Sequence, residues 1–98
     1  MKVLKKLLNG IKTALNLNHP RRQYLYAVTG GKYLGKFFLY MEQNDTTMMF
    51  LELPTMEKVS VPIEKVSYGL ENNILDPVKK LPPDVYNLCK AQYKQINI

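Results

Sequence analysis

The chain has no tryptophan, one cysteine and one histidine in 98 residues. Its first 41 residues contain no acid, and no apolar run approaches the roughly 18 residues of a membrane-spanning helix. Each absence excludes something. A lone Cys89 cannot form an internal disulfide and suits a reducing compartment. With one Cys and one His, a zinc centre would have to be built largely from carboxylates, so no metal and no cofactor are expected. The N-terminal stretch is interrupted by Lys5, Lys6, Asn9 and Lys12. It therefore lacks the continuous apolar core of about 7–15 residues that a secretory signal requires. A cytoplasmic protein is the expectation.

Catalytic constellations are missing too. His19 precedes Pro20, and no Ser/Asp arrangement accompanies it, so it lacks the partner a general base needs. Cys89 falls near the middle of an apolar helix face and reads as a small buried hydrophobe. The eight acids are scattered without a spacing that pairs two of them for acid–base work. Asp76 and Asp84 read as helix-start residues, where a negative group meets the positive end of the helix dipole. Gly30-Gly31 lacks the remaining residues of a phosphate loop and reads as a hairpin turn. An enzyme is the least expected class.

What is present is segregated charge. Residues 1–41 carry Lys2, Lys5, Lys6, Lys12, Arg21, Arg22, Lys32 and Lys36, a charge of +8. Residues 42–98 carry eight acids and six bases, a charge of −2, which gives the net +6. Such asymmetry points to an anionic partner.

The length fits one domain over residues 1–98. At 100° per residue, Val3, Leu4, Leu7, Leu8, Ile11, Ala14 and Leu15 fall within an arc of about 140°, with the lysines outside it. This predicts an amphipathic helix over 1–18, ended by Pro20. Residues 22–70 read as an antiparallel meander. Its strands are Arg22–Thr29, Lys32–Met41 with Tyr33, Phe37, Leu39 and Met41 on one face, Thr46–Leu53 and Lys58–Pro62, with a short fifth over Val66–Leu70. In Met48-Met49, alternation sends one side chain to the core and the other away. Residues 76–96 read as helical: a turn from Asp76-Pro77 to Lys80, then a helix burying Val85, Leu88, Cys89, Tyr93 and Ile96, with Tyr86 at the margin. The predicted fold class is α+β: an N-terminal amphipathic helix, a four- or five-stranded antiparallel meander curled into a small barrel because closure removes sticky edges, and a C-terminal helix.

Two stretches resemble small-barrel families. "VTGGKYLGKFFLYM" (Val28–Met41) resembles the first half of the Sm-like signature, in which a strand ends in a glycine turn, Lys-x-x-Gly follows, and an apolar strand comes next. "VPIEKV" (Val61–Val66) is similar to the strand, single 3₁₀ turn and short strand that close Src-homology-type barrels. These resemblances imply a five-stranded barrel preceded by a helix. Met41 stands where the Sm-like pattern has its acid, so the RNA pocket of that family is not carried over. The whole chain also resembles small bacteriophage proteins, which implies a viral accessory or regulatory role in the host cytoplasm.

The expected function is a non-enzymatic binding or adaptor module that docks on an acidic partner protein through a basic N-terminal face. Lys5, Lys6, Lys12, Arg21, Arg22, Lys32 and Lys36 would attract the anionic surface, and Tyr24, Tyr26 and Tyr40 would supply contact area. Two alternatives use the same residues. A small-barrel nucleic-acid binder would hold phosphates with these bases and stack bases on Tyr33 or Tyr40. A peripheral membrane protein would lay the N-terminal helix on an anionic membrane surface.

Overall fold

In the computed structural model, which describes residues 19–96, five antiparallel strands form one open sheet with a helix on each face. In chain order these are β1 (Tyr24–Val28), β2 (Phe37–Gln43), β3 (Thr47–Leu53), β4 (Glu57–Pro62), α1 (Ile63–Glu71), β5 (Leu75–Lys80) and α2 (Pro83–Gln95). The sheet order is β4-β3-β2-β1-β5. The first four strands form a meander, and α1 then carries the chain across the sheet to the far side of β1.

The alternation of β3 shows why both faces need cover. Met48 and Phe50 point into one cluster with Phe38, Tyr40, Val59 and the α1 residue Val66. Leu51 points into the other, with Leu39, Met41 and the α2 residues Tyr86, Cys89 and Tyr93. Phe50 and Leu51 are adjacent and both fully buried. A sheet with two apolar faces has to bury each against a further layer, and α1 and α2 provide one apiece. A bulge in β2 between Tyr40 and Glu42 shifts the register with β3 at Met41, after alternation has sent Phe38 and Tyr40 into one cluster and Leu39 and Met41 into the other.

The predicted barrel is overturned by this arrangement. The edge strands β4 and β5 lie at opposite ends of the sheet and do not pair. Closure is unnecessary because helices, not sheet curvature, cover both faces. The edges are blunted locally: β5 carries Pro77, Lys79 and Lys80, and β4 ends at Pro62. The expected fifth strand over Val66–Leu70 is part of α1. Ile63, Val66 and Leu70 follow a helical i, i+3, i+7 spacing and pack on the first cluster. The expected helical turn at Asp76–Lys80 is β5, where an edge position tolerates a proline that donates no hydrogen bond. The N-terminal helix expected over 1–18, with Lys5, Lys6 and Lys12, lies outside the described residues.

Two smaller differences matter for the surface. The second strand begins at Phe37, not Lys32. Residues 29–36 form a loop held by Gly35 N–H donating to the Val28 carbonyl (3.0 Å) and Val28 N–H donating to that of Lys36 (2.9 Å). Gly31 and Gly35 supply the positive φ angles of 79° and 86° that this loop needs. Tyr33 therefore leaves the Leu39 and Met41 face and lies edge-on against Phe38, with ring centroids 5.2 Å apart. In α2, Tyr86, Cys89 and Tyr93 are buried, while Val85 and Leu88 are exposed. The helix is rotated relative to the predicted face because three large or soft side chains fill the sheet-facing stripe.

The Tyr86 hydroxyl is buried without a hydrogen-bond partner among the described residues. An unsatisfied buried hydroxyl costs about 1–3 kcal/mol. Tyr86→Phe is expected to stabilise the fold by about 1 kcal/mol, raising Tm by roughly 4–8 °C. A lower Tm in a thermal melt would mean that the hydroxyl is satisfied.

Candidate functional site

The segment before β1 builds a cation–aromatic cluster at the start of the sheet. The guanidinium of Arg21 sits 4.8 Å from the Tyr24 ring centroid, and that of Arg22 sits 5.1 Å from the Tyr40 ring centroid. Arg22 also donates from Nη1 to the Met41 carbonyl at 2.8 Å, and the Arg21 backbone N–H donates to the Tyr26 hydroxyl at 2.8 Å. His19 packs edge-on against Tyr40, and its Nε2 lies 2.6 Å from Gln43 Oε1. Both arginines are exposed, while their aromatic supports sink progressively into the sheet. Tyr24 is half-buried, and Tyr26 and Tyr40 are both 2% exposed. The tyrosines thus hold the arginines in fixed positions, and only Tyr24 also presents ring surface.

The expected site residues divide accordingly. Arg21, Arg22, Tyr24, Tyr26 and Tyr40 come together. Lys32 and Lys36 lie beyond the opposite end of β1, about 13 Å of strand away. Lys36 is paired with Glu52 at 3.2 Å, the one salt bridge among the described residues, so its charge is locally compensated. Tyr33 and Tyr40, the expected stacking residues, both face the core around Phe38 and Phe50.

Lys32 belongs to a second feature, a cleft of about 480 Å³ between the β1–β2 loop and α1. Gly31, Lys32 and Tyr33 form one wall, and Lys65, Tyr68 and Gly69 the other. Ser60, Val61 and Pro62 of β4 close the side. An adjoining inner recess of about 110 Å³ reaches Phe38, Phe50 and Leu75 at the sheet. Gly69 marks a close approach of α1 to β5, since a Cβ there would meet the Leu75 side chain at 3.3 Å. Lys65 and Tyr68 are absent from the sequence-derived site because "VPIEKV" reads as strand. The i, i+3, i+4 spacing of Lys65, Tyr68 and Gly69 was the signal that they share a helix face.

The protonation of the buried phenols and thiol bears on stability. Burial raises the pKa of Tyr26 and Tyr40, and in both cases a nearby arginine partly offsets it. Tyr93 is raised more strongly, by burial and then by its hydroxyl donating to Glu42 Oε2 at 2.6 Å. Burial raises Cys89 as well. All four are neutral when protonated, so the folded chain retains protons that the unfolded chain releases near 10.0 for tyrosine and 9.0 for cysteine. Their contribution is complete below about pH 9 and is lost as pH rises further. The urea midpoint is expected to be lower at about pH 11 than at about pH 8; equal midpoints would contradict this.

No group of three His, Cys, Asp or Glu side chains among the described residues could hold a metal ion. No helix among them is long and apolar enough to cross a membrane. Comparison with family models, curated proteins and solved structures finds no match.

Proposed function

We propose that this protein is a non-enzymatic cytoplasmic binding module, a viral accessory or regulatory factor, that docks on an acidic partner protein through the surface around Arg21, Arg22 and Tyr24. One observation carries the reading: two adjacent arginines are exposed, each is held over an aromatic ring, and neither is paired with an acid among the described residues. Long cationic side chains normally lose conformational freedom on binding, and prior packing reduces that loss. Arginine fixed in this way suits planar carboxylate recognition. Lys5, Lys6 and Lys12 add same-sign charge in the preceding segment and would raise the association rate.

A protein partner is favoured over nucleic acid because only Tyr24 of the cluster presents a ring, and base stacking along a strand calls for successive open aromatic faces. The salt dependence of binding discriminates the two. Phosphate binding weakens as a large power of salt concentration, set by the number of contacts neutralised. A partner held by two arginines and apolar contact around Tyr24 should lose affinity only modestly between about 50 and 200 mM salt. A loss of about 10³-fold over that range would assign the surface to nucleic acid.

A further inference from the structure

We infer that the cleft between the β1–β2 loop and α1 is a separate site for a small organic carboxylate whose body is a single ring or a short branched alkyl chain. Its volume of about 480 Å³ lies within the ~300–1,000 Å³ range of small-molecule sites. The inner recess of about 110 Å³ is somewhat smaller than the ~150 Å³ apolar cavity that admits benzene. It accepts a short branched alkyl group or the leading edge of one ring, the remainder lying in the adjoining cleft.

Charge fixes the other end of the ligand. Lys32 and Lys65 stand on opposite walls, no acid lines either the cleft or the recess, and neither lysine is paired among the described residues. Lys32 Nζ is 5.5 Å from the Tyr33 ring centroid, which anchors that wall against the Phe38 ring. A carboxylate placed between the two ammonium groups gains charge-assisted hydrogen bonds, while its apolar body displaces water from the recess. The head group is a single compact anion. Two flexible ammonium groups act as point charges, and the site has no arginine fork for a polyphosphate. Tyr68, 61% exposed on the α1 wall, offers a ring face to the part of the ligand left outside the recess.

Hydrocinnamate is the probe, with the uncharged hydrocinnamide as control, read by amide chemical shifts. The acid is expected to give saturable shifts at Gly31, Tyr33, Val61 and Gly69 and to bind about tenfold more tightly than the amide. Lys32→Gln and Lys65→Gln, both at exposed positions, should each weaken the acid about tenfold with Tm unchanged. Val61→Phe should fill the recess and abolish binding of both compounds; if it fails to fold, the lysine variants still decide the matter. The inference is overturned by no saturable shift at millimolar probe, by equal affinity for acid and amide, or by shifts confined to the Arg21–Arg22 surface. It is also overturned if a blocked peptide with a free C-terminal phenylalanine binds while the free acid does not, which would assign the cleft to a protein chain end. This site is independent of the arginine surface, so either can fail without the other.

Discussion

Phe50→Ala and Leu51→Ala are each expected to destabilise the protein severely, by about 3–5 and about 2–5 kcal/mol respectively. Neighbouring residues in a strand point to opposite faces, and in a sheet with one solvated face only one of such a pair would matter. Here both side chains are fully buried, Phe50 beneath α1 and Leu51 beneath α2. Phe50 has the larger expected effect. It packs against Phe38 with centroids 5.2 Å apart and edge-on to Tyr40 at 5.8 Å, so truncation removes aromatic contacts from two neighbours as well as its own burial. The sheet separates the two cavities, but the residues are neighbours in one strand, so their losses couple through the backbone and do not simply add. Single domains of this kind are stable by only about 5–15 kcal/mol, so the double variant should be largely unfolded. Urea denaturation of the three variants checks this. A loss under about 1 kcal/mol for either single variant would mean that its face is not covered.

The second large effect is on binding. Arg21→Gln with Arg22→Gln is expected to weaken the interaction with the acidic partner by about 10- to 100-fold, while the fold is retained and loses only about 1 kcal/mol with the Arg22 hydrogen bond to the Met41 carbonyl. The asymmetry follows from position. Each guanidinium head belongs to an exposed residue and covers only the outer side of its ring, so its removal leaves the two apolar clusters of the sheet in place. A lysine pair is an informative control. It preserves charge and hence much of the association rate. It cannot reproduce the guanidinium placed over the Tyr40 ring together with its hydrogen bond to the Met41 carbonyl, so dissociation should be faster than in the native protein. Rate measurements by surface plasmon resonance on the purified partner separate these contributions.

Much of the meander was legible from local chemistry. Short, nearly continuous apolar runs in Phe37–Met41 and Met48–Leu53, the glycine-rich β1–β2 loop, and Asn44, whose Oδ1 accepts from the backbone N–H groups of Thr46 and Thr47 at 2.9 Å each, all mark strands and turns. The helix following Pro82-Pro83 was legible for the same kind of reason. The segment between β4 and β5 was not. Ile63–Glu71 is only nine residues long, begins after a proline and includes a glycine, so its helical spacing competes with the strand-like pattern of Val59 and Val61 before it and Val66 within it. Misreading it removed the layer that covers one sheet face, and curling into a barrel then became the remaining way to bury that face.

The candidate site followed the same division. Adjacent Arg21 and Arg22 and the tyrosines after them were visible as a basic aromatic stretch. Which tyrosines are supports and which are surface depends on strand alternation together with the cover over each face: Tyr24 sits at the start of β1, whereas Tyr26 and Tyr40 are enclosed. Lys36 could not be separated from the basic face by sequence, because its partner Glu52 is 16 residues away and meets it only through the β2–β3 register that places Phe38 opposite Glu52. The cleft depends on the misread helix and was invisible for that reason.

The central claim is that exposed, ring-supported arginines hold an acidic protein. Its most direct measurement is parallel capture from nuclease-treated native lysate by the wild-type chain and by the Arg21→Gln/Arg22→Gln variant, both shown to be folded. The account predicts a specific protein retained by the first and lost from the second; equal retention by both would contradict it.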